Sequence, residues 1–269
     1  MIPSTGVIIP SAGRGNRMDS GQPKQLLHIG GMTILGHTIS RILRIGPVRH
    51  LVIPSSPELE TTVRDIAAGC ISAAGRSGDV RLDVVAGGKE RMDSVGNGLQ
   101  ALAGTDVELV MVHDAVRPCF PLDAVMRALQ LAGSEGAAIL AIPARDTVKL
   151  VDRAGRITGT PDRRQVWLAQ TPQVFRTEVL LDSHGKAAAS GFAATDDASM
   201  AEHAGYPVRV VEGTQDNLKI TWPVDLFFAE QWLKENSLRH PTGENPSRPH
   251  LADEKPIRTH PTGENPKGI

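Results

Sequence analysis

Short apolar runs alternate with helical patterns along most of the chain. The strand-like runs cover residues 7–10, 50–54, 81–86, 109–113, 137–143 and 208–211. Between most of these runs, apolar side chains recur at helical spacing, as in residues 33–44, 57–74 and 93–102. This alternation predicts an α/β fold with a doubly wound, mostly parallel sheet, whose ligands bind at the carboxyl ends of the strands.

One segment departs from the alternation. Residues 146–164, DTVKLVDRAGRITGTPDRR, contain two β-like runs around the turn-forming residues 152–155, a pattern typical of a hairpin. An isolated two-stranded ribbon is only marginally stable in water, so we expect this arm, about residues 146–170, to pack on another surface. A second subunit is the simplest such surface, and the sequence therefore predicts a homodimer.

Composition limits the class of partner. The 269 residues are 40% hydrophobic, which is enough to fill a substantial core. The chain has 29 basic residues against 30 acidic residues and only 3% aromatic residues, so polymeric nucleic acid is not an expected partner.

The cysteines and the apolar runs bear on where the protein works. Cys70 and Cys119 lack metal-ligand spacing and are expected to be buried thiols. With no membrane-length apolar run and no signal-like N-terminus, the chain is expected to be cytoplasmic.

The last part of the chain has a different character. Apolar periodicity stops near residue 237, and HPTGENP occurs at residues 240–246 and again at 260–266. The repeat is similar to a zinc-finger linker, but it contains no cysteine and is assigned no function. We therefore expect one domain over residues 1–236 and a disordered tail over residues 237–269.

The first apolar run leads into a glycine-containing turn. In VIIPSAGRGNRM, residues 7–18, Gly13 and Gly15 allow several backbone NH groups to converge on one anion, and Arg14 and Arg17 add positive charge. The turn is not a P-loop, and Met18 stands where a dinucleotide fingerprint requires a third small residue. An ordinary strand-to-helix turn with solvated arginines is an equal alternative at this point.

Two further features extend this chemistry. Pro23 disfavours helical geometry at the residue before it, so Lys24 is expected on extended chain, from which it could reach back toward the same anion. In VVAGGKERMDSV, Gly87 and Gly88 follow a strand and Ser94 lies just inside the next helix. Exposed backbone groups and a hydroxyl there could bind a flat polar ring, although a tight turn alone would look the same.

The run LVMVHDAVRP brings three polar side chains to the edge of the sheet. Asp114 is a suitable magnesium ligand, because that ion takes one or two carboxylates and completes its shell with water and substrate phosphates. An ion pair between Asp114 and Arg117 is the structural alternative. His113 is interpreted as a core histidine with its hydrogen bonds satisfied.

The remaining basic residues suggest a reaction class. The chain offers Arg17, Lys24, Arg117, Arg163 and Lys219 around one candidate metal ligand. It contains no serine or cysteine nucleophile motif. Polyphosphate chemistry that depends on positioning and on charge stabilisation follows from this set.

At these residues the sequence closely resembles the 2-C-methyl-D-erythritol 4-phosphate cytidylyltransferases of the non-mevalonate isoprenoid pathway. The resemblance runs from residue 7 to about residue 233. It includes PSAGRGNRM, PKQ, GGKERMDSV, HDAVRP, DTVK, AQTPQVF, TDDAS and NLKIT, in the order that the family has them.

The resemblance implies a Rossmann-like nucleotidyltransferase that transfers CMP from CTP to the phosphate of 2-C-methyl-D-erythritol 4-phosphate and releases pyrophosphate, with Mg²⁺ or another divalent cation bound by Asp114. The CTP-binding residues that it implies are Pro10, Ser11, Ala12, Gly13, Arg14, Gly15, Gly87, Gly88 and Ser94. It assigns charge stabilisation at the α-phosphorus to Arg17, Lys24 and Lys219. The acceptor would meet Asp114, Arg117, Thr147 and Lys219, with Arg163 and Thr171 supplied by the arm of the partner chain.

Some residues depart from the family pattern. Ser11 replaces a commoner alanine, and Val116 is typical of the related ribitol 5-phosphate cytidylyltransferases. In contrast, Lys149, Trp167 and Ala169 are more similar to the methylerythritol branch, which we favour. The alternatives are a ribitol 5-phosphate enzyme and a nucleotide-binding regulator that has lost its chemistry.

Overall fold

The computed structural model describes residues 2–13 and 22–239, with side chains as far as residue 236. The predicted tail from residue 240 onward therefore lies outside the described residues. So do Arg14, Gly15 and Arg17 of the first glycine turn.

The strands of the described chain form one large sheet and two small hairpins. In chain order they are β1 (Thr5–Ile8), β2 (His28–Ile29), β3 (Met32–Thr33), β4 (Val48–Ser55), β5 (Arg81–Ala86), β6 (Leu109–Val112), β7 (Ala137–Pro143), β8 (Leu150–Val151), β9 (Ile157–Gly159), β10 (Trp167–Arg176) and β11 (Arg209–Glu212). The main sheet has the order β11-β7-β10-β6-β1-β4-β5. Within it, β10 is antiparallel to both of its neighbours and the other pairs are parallel.

Helices cover both faces of this sheet. They are α1 (Ile34–Ile42), α2 (Glu60–Ala73), α3 (Arg91–Leu102), α4 (Leu122–Glu135), α5 (Thr177–Ser190), α6 (Asp197–His203) and α7 (Pro223–Arg239). One core cluster joins α1, α2 and α4 to the sheet, and a second joins α3, α5 and α6 to the opposite face. The predicted doubly wound, mostly parallel fold is therefore confirmed.

Strand β1 shows why an uninterrupted apolar run was the correct signal for a central strand. Val7 and Ile9 pack in the first core cluster, whereas Ile8 packs in the second, and all three are fully buried. A strand covered on both faces has no polar side to reveal its period of two. Beyond β1 the chain continues beside β4, since the NH groups of Ile9 and Ser11 donate to Val52 and Pro54.

The predicted arm is present but shorter than expected. Strands β8 and β9 form a separate hairpin, and its turn is stabilised by the Asp152 carboxylate, which accepts bonds from the NH groups of Ala154 and Arg156. Residues 167–169 pair with β7 and so belong to the main sheet. Strand β10 was not predicted, because Gln170, Thr171 and Gln173 break the apolar pattern in its middle.

Two local expectations differ from the structure. Pro23 itself has extended geometry, but Lys24 begins a 3₁₀ turn, Lys24–Leu26, so the prediction that Lys24 lies on extended chain is wrong. Thr171 lies in the main sheet within β10 and is buried, so it does not project with the arm toward a partner chain.

Two expectations drawn from composition can also be compared with the described residues. Cys70 and Cys119 are both buried free thiols, as predicted, and burial raises the pKa of Cys119 to about 12. Over residues 2–13 and 22–239, no helix has the length and apolar character needed to cross a bilayer.

Candidate active site

A cavity of about 250 Å³ opens at the carboxyl ends of the central strands, where a parallel α/β sheet is expected to bind its ligand. Its lining includes Pro10, Ser11, Ala12, Gly13, Lys24, Gly88, Ser94, Asp114 and Lys219, all of which are candidate residues from the sequence. Gln25, Lys89, Glu90, Arg91, Ala115 and Val116 complete the described lining.

The chain after β1 is held in place by Gln25. The Gln25 amide is buried and donates to the carbonyl oxygens of Ser11 at 2.7 Å and Gly13 at 3.3 Å. The donor in both bonds is the uncharged side-chain amide of Gln25, and the acceptors are backbone carbonyl oxygens. Gln25 therefore fixes the first part of the glycine turn without adding charge to the cavity.

The second glycine pair leaves no room for side chains. A Cβ on Gly87 would lie 2.3 Å from the Cβ of Ala12, and a Cβ on Gly88 would lie 2.1 Å from the Cβ of Asp93. The Ser94 hydroxyl accepts a bond from the NH of Gly88 and donates to the carbonyl of Glu90. Ser94 thus holds the turn together, as the tight-turn alternative expects, while it also lines the cavity.

Asp114 lies at the centre of a cationic cluster. Its Oδ2 contacts Nε of Arg117 at 3.0 Å and Nζ of Lys219 at 3.1 Å, and its Oδ1 lies 3.6 Å from Nε of Arg91. Burial by itself would raise the pKa of Asp114, but Lys219, Arg117 and Arg91 outweigh that effect and hold the pKa well below its usual value. The carboxylate is therefore ionised at neutral pH.

His113 and Thr171 support Asp114 from inside the sheet. Nε2 of His113 donates to the carbonyl of Arg117 at 3.0 Å, which leaves Nδ1 to accept a bond from the Thr171 hydroxyl. That hydroxyl accepts in turn from the NH of Asp114 at 3.0 Å. Burial lowers the pKa of His113 to about 4, so the ring is neutral, and the prediction of a satisfied core histidine is confirmed.

Arg117 and Lys24 are also bound to the segment before α7. Nη1 of Arg117 donates to the carbonyl of Asn217, and Nζ of Lys24 lies 3.3 Å from the carbonyl of Ile220. Asn217 is fully buried and donates to Gln170 and Thr171 on β10. The predicted start of α7 near Pro223 is confirmed, with the NH groups of residues 221 and 222 bound by the Asp225 carboxylate.

Arg91 links Asp114 to a further carboxyl group. Its Nη2 donates to Oδ2 of Asp197 at 2.7 Å, and Asp197 is fully buried at the start of α6. Burial raises the pKa of Asp197, although Arg91 opposes the shift. For Arg91 the attraction of Asp197 and Asp114 exceeds the effect of burial, and its pKa is raised.

Two predicted residues lie away from the cavity. Thr147 is exposed at the base of the arm, and Arg163 is exposed in a 3₁₀ turn that follows it. The Arg163 guanidinium donates to the carbonyl of Arg145 at 3.3 Å. Neither residue lines the cavity of its own chain.

Four residues of the site have no predicted role from the sequence: Gln25, Arg91, Asp197 and Asn217. All four occur inside motifs that carry the resemblance, namely PKQ, GGKERMDSV, TDDAS and NLKIT, so the motifs could have indicated them. Asp197 meets Arg91 across 106 residues of sequence, and no local pattern reveals that contact.

Together these features define a class of protein. A Rossmann-like sheet carries a cavity at its topological switch point, with small residues on two turns and lysine and arginine side chains around one ionised carboxylate. Such an arrangement suits the phosphates of a nucleotide.

Comparison with known proteins identifies the family. The family model described as 2-C-methyl-D-erythritol 4-phosphate cytidylyltransferase matches residues 5–235. The enzyme of that name from Syntrophus aciditrophicus is 42% identical over 241 residues, which is 89% of this chain and 100% of the relative. The one from Geotalea uraniireducens is 42% identical over 84% of this chain and 95% of its own length.

Solved structures agree with the sequence relatives. A 4-diphosphocytidyl-2C-methyl-D-erythritol synthase from Anaerococcus prevotii superposes with a TM-score of 0.73 at 29% identity, covering 86% of this chain and 99% of its own. The cytidylyltransferase from Thermus thermophilus gives 0.67 at 31% identity, covering 85% and 98%. The chain belongs to the 2-C-methyl-D-erythritol 4-phosphate cytidylyltransferase family.

Proposed function

We propose that this chain transfers CMP from CTP to the phosphate group of 2-C-methyl-D-erythritol 4-phosphate in isoprenoid biosynthesis. A phosphate oxygen of the acceptor attacks the α-phosphorus of CTP, the bond from that phosphorus to the β-phosphate bridge breaks, and pyrophosphate leaves. The observation that carries the proposal is the cavity that Lys24, Lys219 and Asp114 line together, in a chain of this family.

The proposed roles follow from position. Lys24 and Lys219 line the cavity and would stabilise negative charge as it develops on the α-phosphate, together with Arg17 from outside the described residues. The turn at residues 10–13, extended by Arg14 and Gly15, would hold the triphosphate. The turn at Gly87 and Gly88, with Ser94, would hold the cytidine ring.

We propose Mg²⁺, or another divalent cation, as the metal of this site. The donor chemistry fits, because Asp114 is ionised and no described hydrogen bond reaches its Oδ1, whose described ion contact with Arg91 is long at 3.6 Å. One carboxylate is what Mg²⁺ needs when substrate phosphates and waters supply its other ligands. When bound, the ion would neutralise phosphate charge.

The acceptor phosphate is proposed to meet Arg117 and Lys219 in its own chain, and Thr147 and Arg163 through a homodimer. The hairpin supports a dimer because Leu150, Val151 and Ile157 are 55%, 58% and 63% exposed, and apolar side chains clustered in this way favour a protein contact. Thr171 is proposed to act indirectly, through Asp114.

We propose a cytoplasmic location for the enzyme. The free thiols of Cys70 and Cys119 support a reducing compartment, in agreement with that location.

Pyrophosphate release from CTP tests the proposal. It should require a divalent cation and methylerythritol phosphate. Lys24→Ala and Asp114→Asn should each fold but lose at least ~100-fold in kcat, the scale of losing one electrostatic stabiliser. Lys186→Ala, which changes a surface ion pair with Asp182, is the matched control. Full activity in either site variant would overturn the assigned role.

One residue favours a second acceptor. Val116 lines the cavity, and it is the residue typical of the ribitol 5-phosphate relatives. The same assay with ribitol 5-phosphate as the acceptor separates the two functions. A larger kcat/KM for ribitol 5-phosphate would retain the reaction but change the substrate.

A further inference from the structure

Asp197 is a buried carboxyl group whose described polar contact is Arg91. Its Oδ2 accepts from Nη2 of Arg91 at 2.7 Å, and its Oδ1 is buried with no hydrogen-bond partner in the described part of the chain. A carboxyl group loses its hydration on burial, and a structural role normally satisfies both of its oxygens. The side chain of Asp197 is therefore directed at Arg91 rather than at the backbone of α6.

The position of Asp197 is fixed relative to Asp114 by strand β10. Gln173 on β10 lies opposite Val112, two residues before Asp114. Its amide oxygen accepts from the NH of Ala198, and its amide nitrogen donates to Asp196 at 2.7 Å. The start of α6 is thus attached to the strand that also carries Thr171, so Asp197 and Asp114 belong to one framework.

Arg91 lies between the two carboxyl groups but bonds to only one of them. It makes a 2.7 Å bond to Asp197, whereas its contact with Oδ1 of Asp114 is 3.6 Å, too long for a hydrogen bond. The other oxygen of Asp114 is already occupied by Arg117 and Lys219. Oδ1 is therefore the oxygen of Asp114 that a ligand in the cavity can use.

We propose that Asp197 is a positioning residue, which binds Arg91 and holds its guanidinium beside Oδ1 of Asp114, leaving that oxygen open to the divalent cation that accompanies CTP. The inference rests on the proposed function, since it concerns the same site. Without the charge of Asp197, the guanidinium of Arg91 would move onto Oδ1 and compete with the cation.

Calorimetric titration with CTP at a series of Mg²⁺ concentrations tests this role without relying on turnover. Asp197→Asn should raise the Mg²⁺ concentration for half-maximal CTP binding about tenfold, because the guanidinium of Arg91 then competes with the cation for Oδ1 of Asp114; a tenfold loss is the lower end of what disturbing the surroundings of a metal ligand causes. Arg91→Gln should leave that concentration within about twofold, because no guanidinium then competes. Adding Arg91→Gln to Asp197→Asn should restore the value of the unmodified chain. Asp182→Asn, on the surface of α5, is the matched control.

Rescue by Arg91→Gln distinguishes positioning from a structural role, which a second substitution would not repair. An unchanged Mg²⁺ requirement in Asp197→Asn, or a defect that persists in the double variant, would overturn the proposal. If Asp197→Asn does not fold, the role of Asp197 is tested with Arg91→Gln by itself, and a tenfold rise in the Mg²⁺ requirement of that variant contradicts the proposal.

The two proposals can fail separately. An unmodified chain that binds CTP with Mg²⁺ but releases no pyrophosphate refutes the proposed function alone. Absence of CTP binding refutes both.

Discussion

At the scale of single residues, Asp114 is held in position by the buried side chains of Thr171 and His113, which hydrogen-bond to each other and to the backbone of the same loop. The Thr171 hydroxyl joins the NH of Asp114 to Nδ1 of His113, and the opposite nitrogen of His113 binds the carbonyl of Arg117. Each donor in this set has an acceptor. The set can therefore hold Asp114 in one position only while His113 remains neutral.

The neutral state of His113 predicts a pH dependence of stability. Burial lowers its pKa from 6.5 to about 4, so between these values the unfolded chain binds a proton that the folded chain does not. The contribution of neutral His113 to the free energy of unfolding is therefore complete above pH 6.5 and is lost as the pH falls toward 4. We expect the free energy of unfolding to be roughly 2 kcal/mol lower at pH 5 than at pH 7 because of this residue.

Urea unfolding at the two pH values checks this expectation. His113→Gln should be less stable at pH 7 but should lose much less stability on acidification than the unmodified chain. His28→Gln, at an exposed position, is the control. An equal loss in His113→Gln and the unmodified chain would show that His113 is not the source.

Gln25 gives a second prediction at this scale. Gln25→Glu removes both donors and places a carboxylate against the carbonyl oxygens of Ser11 and Gly13. We expect KM for CTP to rise about tenfold, because the lost hydrogen bonds and the unpaired carboxylate displace the turn. Steady-state kinetics measure the KM for CTP, and Gln100→Glu on the surface of α3 is the control. An unchanged KM would mean that the turn does not depend on Gln25.

At the scale of elements, the two glycine turns pack against each other at the ends of β1 and β5, which flank β4 in the sheet. The Cβ position of Gly88 is only 3.0 Å from the carbonyl carbon of Asp93, which is backbone of α3 and cannot move independently. Gly88→Ala should therefore displace the start of α3. It should lower the free energy of unfolding by about 1–3 kcal/mol and weaken CTP binding.

Thermal unfolding and CTP titration test the effect of Gly88→Ala against Gly78→Ala. Gly78 has no heavy atom within 4 Å of its Cβ position and lies before β5. Only the variant at Gly88 should lose affinity for CTP. Equal behaviour of the two variants would contradict the close packing of Gly88 against the start of α3.

The elements differ in how far sequence could predict them. Parallel strands such as β1 and β6 were found because burial on both faces requires uninterrupted apolar runs. Helix α1 was found because its apolar stripe is continuous and Thr33 caps it by accepting from the NH of Gly36. Strand β10 was missed because its polar residues are satisfied by distant partners such as Asn217 and Asp196, which local sequence does not contain.

The residues of the candidate active site were also predictable only in part. Asp114 and Lys24 could be predicted, since each is a charged residue beside a strand end or a turn. Arg91 and Asp197 could not be assigned a role, because their pairing depends on how α3 and α6 pack on one face of the sheet. Sequence therefore indicated the groups that face the cavity better than those that hold them in place.

At the scale of the whole molecule, the arm and the cavity are proposed to meet in a dimer. Chains with Lys24→Ala, mixed with chains carrying Arg163→Ala and allowed to exchange, should form heterodimers that regain one site, and the mixture should recover about a quarter of full activity. Mixing Lys24→Ala with Thr171→Val should restore nothing, because Thr171 serves its own chain.

Subunit exchange has to be verified independently by mass spectrometry of the mixed species. With exchange confirmed, no recovery in the mixture containing Arg163→Ala would contradict a role for Arg163 across the interface. Recovery with Thr171→Val would contradict the position of Thr171 inside its own site.

Direct observation of the product tests the central claim. CTP, methylerythritol phosphate, Mg²⁺ and the unmodified chain are followed by phosphorus NMR. We expect the three CTP resonances to decline as pyrophosphate and a pair of coupled diphosphate-diester resonances grow in equal amounts, with no change when the acceptor is omitted. CTP that remains intact with the acceptor present, or that yields free CMP instead of the diester, would contradict the account.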